Sequence, residues 1–300
     1  MMITIPSSKS VITMSPNNAP AARAKPGDTV CFETLNCYSE KIKTEEDKMS
    51  LVPWDCINPA TGPLFVEGAQ PGDVLKVEIL SIEPVEYGVM AIGPGAGVLG
   101  DVLLEERTKI LPIKDGKVKF NDKLTLPMQP MIGVIGTAPK DEDIPTGTPG
   151  PHGSNMDCKL IGEGSTLYLP VNTEGALLAM GDIHAAMGDG EIIICGVEAS
   201  GRITVRVDVI KGFSAHLPML LTKDSIVMIS SAKTLDEASF DVTHKFHEFL
   251  CNMLGMELHE AGMLLSAACD LRICQIVDPL YTVRMELPLW IAKEYGFEMP

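Results

Sequence analysis

Three hundred residues, 45% hydrophobic and 21% charged, are enough for one large core or two modest ones. A formal charge of −16 argues against nucleic acid and anionic membrane as partners, because a polyanion is repelled by both. No run approaches about 18 apolar residues, so no spanning helix is expected either.

The first residues, "MMITIPSSKSVITMSPNN", lack a charged start followed by a long apolar stretch. No secretory signal is therefore expected. Eight cysteines occur with no Cys-x-x-Cys pair, which fits reduced thiols and a cytoplasmic address.

Taken in chain order, the predicted elements are short strands between Gly/Pro turns. "KPGDTVCFE" (25–33) and "QPGDVLKVEI" (70–79) share a Pro-Gly-Asp turn followed by two-residue alternation. "ILPI" and "KVKF" (117–120) flank the turn "KDG" and predict a hairpin. A long loop, 138–155, ends in "PGPHGSN". Strands are predicted at 166–171, 176–180, 191–198 and 202–210, the last two joined by "ASG".

The pattern then changes. "TLDEASFDVTHKFHEFLCNMLG" (234–255) has apolar residues at helical spacing, a capping box from Thr234 to Glu237, and Gly255 as a stop. A second helix is predicted over 257–273 and a last strand over 281–288. The expected fold is mainly β: a sandwich- or barrel-like body over 1–212 that carries the site. An α+β portion with two helices follows over 213–300.

The residues able to do chemistry gather in "GDIHAAMGDGE" (181–191). On extended backbone Asp182 and His184 project to the same side, as a two-ligand clip for a divalent cation does. Asp157, at the end of the 138–155 loop, is the best-placed third ligand. The bland alternatives are a chance pair, a hairpin turn at Asp189-Gly190, and a solvated His152. His244 and Glu248, four apart on a predicted helix, read as a surface pair. There is no Gly-x-Ser-x-Gly elbow, and "GPGAGVLGD" (93–101) lacks the Lys-Ser/Thr ending of a phosphate loop.

"NPATGPLFVEGAQPGDVLKVEI" (58–79), "PMIGVIGTAP" (130–139), "PGPHGSNMD" (149–157) and "LYLPVNTEGALLAMGDIHAAMGDGE" (167–191) together resemble the acetamidase/formamidase family. The resemblance runs in order over nearly the whole chain. It implies hydrolysis of a short amide to carboxylate and ammonia, a homodimer or higher homo-oligomer, and a divalent-metal site where the two quoted loops meet. Three positions depart from the commonest pattern: Ser154 for a second Gly, Met187 for Gln, and Asn36 where an acid is common.

Joined to the residue reading, this implies that Asp157, Asp182 and His184 hold one cation, zinc by first choice, with Glu33 as an outer ligand. Glu191, with Asp189 second, would shuttle the proton. His152 and Asn155 would donate to the oxyanion. The rival expectations are a metal-assisted hydrolase of another linear C–N bond, a non-catalytic small-ligand-binding sandwich, and a purely structural oligomer.

Overall fold

Both Pro-Gly-Asp turns launch strands of one sheet, Thr29–Thr34 and Val74–Pro84, in the computed structural model, which describes residues 2–300. In each turn the aspartate closes back on the chain. Asp28 Oδ2 accepts the Lys25 N–H at 2.8 Å, and Asp73 Oδ2 accepts the Gln70 N–H at 2.7 Å. Gly201–Ile210 lies between these strands and pairs antiparallel with both. The repeated device thus builds one half of a nine-stranded sheet.

A second, eleven-stranded sheet faces it. Alternate residues of the two inner faces interdigitate: Phe32, Val77, Leu167 and Val205 from the first sheet meet Ile132, Ile135, Leu178, Met180 and Ile183 from the second. The chain is therefore mainly β and built as a sandwich.

Residue 212 does not divide the sheets. The first sheet continues through Met219–Leu221, Ser225–Ala232 and Tyr281–Pro288. What changes there is the outer layer. Along Ser225–Ala232, Val227 and Ile229 face the sandwich core while Ile226 and Met228 face helix α1 (Leu235–Leu254), so the strand is buried on both sides. Val242, Phe246 and Leu250 supply the facing stripe of α1.

The helix begins and ends as the sequence predicts. Both bonds of the Thr234/Glu237 capping box form, and Gly255 caps the end at φ 69°.

Three expectations fail. Helix α2 spans Leu258–Ala268, and Asp270–Gln275 is an edge strand on Tyr281–Pro288 instead of the helix's last turn. The ladder offered by a neighbouring strand outweighs a weak local preference. A third helix, α3 (Leu289–Glu294), follows the last strand. Finally, "EIIICGVE" is mostly turn, with only Glu198–Ala199 extended, whereas the preceding strand runs further than predicted, Leu178–His184.

Among the described residues no helix is long and apolar enough to cross a membrane. No cysteine among them is in a disulfide.

Candidate active site

Three strands of the second sheet set the site. Met131–Gly136 lies between Gly153–Asn155 on one side and Leu178–His184 on the other. Asp157 follows the first neighbour, and Asp182 and His184 end the second. Their carboxylates meet over Gly133, where a β-carbon would come within 2.5 Å of Asp157 Oδ1 and closer still to Asp182 Oδ2. The missing side chain of Gly133 is the space the acids occupy.

His184 is the centre of the cluster. Its Nε2 lies 3.4 Å from Asp182 Oδ2 and 3.9 Å from Asp157 Oδ1, and also 3.9 Å from Glu191 Oε1 and 3.2 Å from Glu198 Oε1. The other ring nitrogen, Nδ1, faces Met187 Sδ at 3.3 Å. A proton on Nδ1 leaves the Nε2 lone pair free toward the acids, as a metal ligand requires. Gly196 lets the ring lie against the backbone, since a β-carbon there would meet Nδ1 at 2.7 Å.

Asp157, Asp182, His184, Glu191 and Glu198 are all buried. Burial pushes Asp157 up to about 6, with His184 opposing and Asp182 adding to the rise. Burial likewise carries Glu198 up to about 7. Glu191 and Asp278 stand well above the usual carboxylate range, from burial first and then from the charge on Asp157. At His184 burial opposes protonation, yet Glu198 and Asp182 outweigh it and hold the imidazole pKa high.

Several oxygens have no hydrogen-bond partner at all: both of Asp157, Oδ1 of Asp182, Oε2 of Glu191 and Oε2 of Glu198. Buried carboxylates left unpaired this way are costly, and such a set could hold a cation. Strain points the same way. Asp157, Asp182 and Glu191 all adopt left-handed backbone, at φ 46°, 56° and 47°.

The cluster opens onto a cavity of about 1810 Å³. Asn155 lines it and donates from Nδ2 to Asp278 Oδ2 at 2.9 Å, leaving its own Oδ1 unpartnered. Asp278 is held on a loop whose Val277 and Asp278 N–H groups both donate to the buried side chain of Gln275. The glycine-rich stretch at 93–101 packs on the segment after Glu191: Val98 N–H donates to Ile192 O at 2.8 Å.

Two sequence-predicted residues lie elsewhere. Glu33 sits half-buried on Thr29–Thr34 of the nine-stranded sheet, opposite Arg202 of the neighbouring strand and outside the acid cluster. His152 is buried, and burial alone lowers its pKa to about 4, with no carboxylate contributing. The alternation of the Gly153–Asn155 strand explains its absence: neighbouring Ser154 turns away to Thr146 O while Asn155 faces the cavity. Ser154 also adopts φ 73°, a conformation glycine takes freely. The surface pair differs too, for Glu248 pairs with His216 at 2.7 Å.

Asp189 is taken by a clamp and is not free to shuttle a proton. Buried Arg284 grips it with two bonds, at 2.8 and 3.0 Å, and Lys159 adds a third contact at 3.0 Å. Despite the opposing effect of burial, Arg284 holds Asp189 below its usual pKa. Lys159 lies two residues past Asp157, and Asp189 two before Glu191, so the clamp ties both acid-bearing segments to strand Tyr281–Pro288. Arg284→Met should destabilise the protein by about 3 kcal/mol, the low end for breaking a buried pair because Asp189 stays partly exposed. Urea unfolding measures this, and an unchanged midpoint would show the clamp to be idle.

Sequence reasoning missed Glu198, Asp278, Cys37, Gly133 and Arg284. None had a local signal; Glu198 pairs directly with His184 across the sheet, a register visible only in the fold. Cys37 lines the cavity, and burial together with Glu198 raises its pKa well above the usual thiol value.

The acetamidase/formamidase family model matches residues 13–146 and 140–293. A crystal structure of an acetamidase from Bacillus halodurans superimposes with TM-score 0.97, at 48% identity over 98% of this chain and 100% of that one. A predicted acetamidase/formamidase from Thermoanaerobacter tengcongensis does so with TM-score 0.97 and 46% identity, over 100% and 99% of the two chains. A putative formamidase of Schizosaccharomyces pombe is 27% identical over 254 residues, 64% of this chain and 62% of that protein. The chain spans about three-fifths of the length of the curated relatives it matches.

Proposed function

The chain belongs to the acetamidase/formamidase family, and from that premise we propose that it hydrolyses a short amide to its carboxylate and ammonia. A divalent cation would be held by Asp157, Asp182 and His184. The observation that carries this reading is the set of unpartnered buried carboxylate oxygens gathered round His184 Nε2 on the cavity wall. Two carboxylates and an imidazole are a donor set that zinc accepts, so the residues fit the ion.

When bound, the cation would polarise the amide carbonyl and bring the pKa of a water from about 15.7 towards 7. Glu191 is the proton shuttle. Its raised pKa lets it take a proton from the attacking water and return it to the departing nitrogen, which then leaves as ammonia. Asn155 holds the substrate through its free Oδ1, which accepts an N–H of the amide; this replaces the donor role the sequence reading gave it. The buried floor excludes bulk water and strengthens each of these interactions.

Ammonia release from formamide, acetamide and propionamide, with and without chelator, tests the proposal. Turnover that chelator abolishes and zinc restores is expected. A protein that binds these amides without releasing ammonia would sink it.

The cavity also supports a second reading, a larger amide or ureido compound. Its volume exceeds the 300–1,000 Å³ or so that holds a drug-sized ligand. Exposed Leu51, Trp54 and Leu104 at its mouth would favour an apolar substituent, or be covered by a second copy in a homo-oligomer. A longer amide and a ureide in the same assay rank these substrates. The free thiols suit a reducing cytoplasm.

The acids also predict how stability varies with pH. An acid whose folded pKa is raised stabilises the fold fully below its unfolded pKa, near 4, and loses that contribution as pH rises through the folded value. Metal-free protein should therefore lose stability as pH climbs through about 6 for Asp157 and about 7 for Glu198. Zinc should raise the Tm more at pH 7.5 than at pH 5. An equal zinc increment at the two pH values, read by thermal scans, would contradict this.

A further inference from the structure

The cation proposed above uses one side of the cluster, and a second group of ligand atoms stands on the other. Cys37, Asp182 and Glu198 each offer an atom within 4.8 Å of the others'. None of the three is on a mobile stem. Cys37 sits on a turn built by Asn36, whose Oδ1 accepts the N–H groups of Tyr38 at 3.1 Å and Glu40 at 3.0 Å. Its own carbonyl accepts the Asn58 N–H at 2.9 Å. Glu198 is fixed by accepting the Gly196 N–H at 2.7 Å on Oε1. Its Oε2 and the Oδ1 of Asp182, on side chains 1% and 2% exposed, have no partner.

Charge leads to the same place. Asp157, Asp182, Glu191, Glu198 and Asp278 converge with one imidazole among them, and the buried guanidinium of Arg284 is already engaged by Asp189 and Glu286. A single divalent ion offsets the charge of two of those five carboxylates, and the others must keep their protons or find a second cation. Asp182 can serve two ions at once, with Oδ2 toward His184 and Oδ1 free.

We propose that Cys37, Asp182 and Glu198 form a second cation position, one that takes a thiophilic divalent ion such as zinc, beside the first and sharing Asp182 with it. The thiolate gives the two positions different character, because sulfur selects zinc and its neighbours over magnesium or calcium. The inference rests on the reading of the first position as a metal site, and its test separates the two.

The test is a metal count on the purified protein, as isolated and after stripping and reloading with Zn²⁺ or Co²⁺. Two zinc equivalents per chain are expected, falling to one in both Cys37→Ser and Cys37→Ala. The cobalt form should show a thiolate-to-cobalt absorption band in the near ultraviolet that both variants lose while keeping weaker visible bands. X-ray absorption of the unmutated zinc protein should find a sulfur neighbour at about 2.3 Å, a readout that needs no variant to fold. One equivalent in the unmutated protein, or a cobalt–thiolate band that survives in the variants, overturns the second position and leaves the first standing. No bound metal at all overturns both.

Discussion

Asp182→Asn is expected to lose hydrolysis and bound metal together. Asparagine has nearly the same shape, so the strand and the packing against Gly133 survive, but the charge that faces His184 at 3.4 Å is gone. Asp182 belongs to one group of candidate ligands and touches His184 of the other, so its replacement reaches both. Losing several kcal/mol of charge stabilisation corresponds to at least about 10³ in turnover, at tenfold per 1.36 kcal/mol.

Ammonia release and elemental analysis on one preparation check this outcome. A variant that keeps full turnover and a full metal complement would show that Asp182 is no ligand.

Gly133→Ala is expected to produce the same double loss by a different route. The glycine lies in the fully buried strand Met131–Gly136, and its backbone is not in the left-handed region, so alanine is conformationally acceptable there. The added methyl has nowhere to go except between Asp157 and Asp182, whose oxygens it meets at 2.5 Å or less. One of the two carboxylates must swing away, and the shared position for a cation opens. Overpacking of this size costs about 1–3 kcal/mol, so the variant should still fold. Urea unfolding reports that modest cost, and calorimetric zinc titration reports an affinity at least about 100-fold weaker, by analogy with the loss of supporting residues at metal sites. Unchanged zinc affinity would mean that the two acids do not act on one ion.

Much of the architecture could be read locally. The Pro-Gly-Asp turns, the strand Tyr281–Pro288 and the capped helix from Thr234 to Gly255 are all written in residues a few positions apart. Failures came where a distant neighbour overrode a local preference. "IIIC" has the composition of a strand, yet Gly190 N–H donates to Cys274 O and Ile276 N–H to Gly190 O, while Glu191 and Ile194 turn left-handed. Those contacts come from an edge strand more than eighty residues away, itself read as the end of a helix.

By itself the sequence determined a mainly β body with C-terminal helices, and it set Asp182 and His184 on one side of a strand with Asp157 as their candidate companion. Alternation, turn chemistry and the two-residue spacing of Asp182 and His184 depend only on backbone period. Tertiary structure alone decided the rest. It set Asp189 into a clamp with Arg284, left Glu33 and His152 outside, and brought in Glu198, Asp278 and Cys37. The physical reason is that buried charge is tolerable only where partners converge, and those partners arrive on the 36–40 turn, the 275–281 loop and a facing strand, segments whose meeting no local pattern encodes.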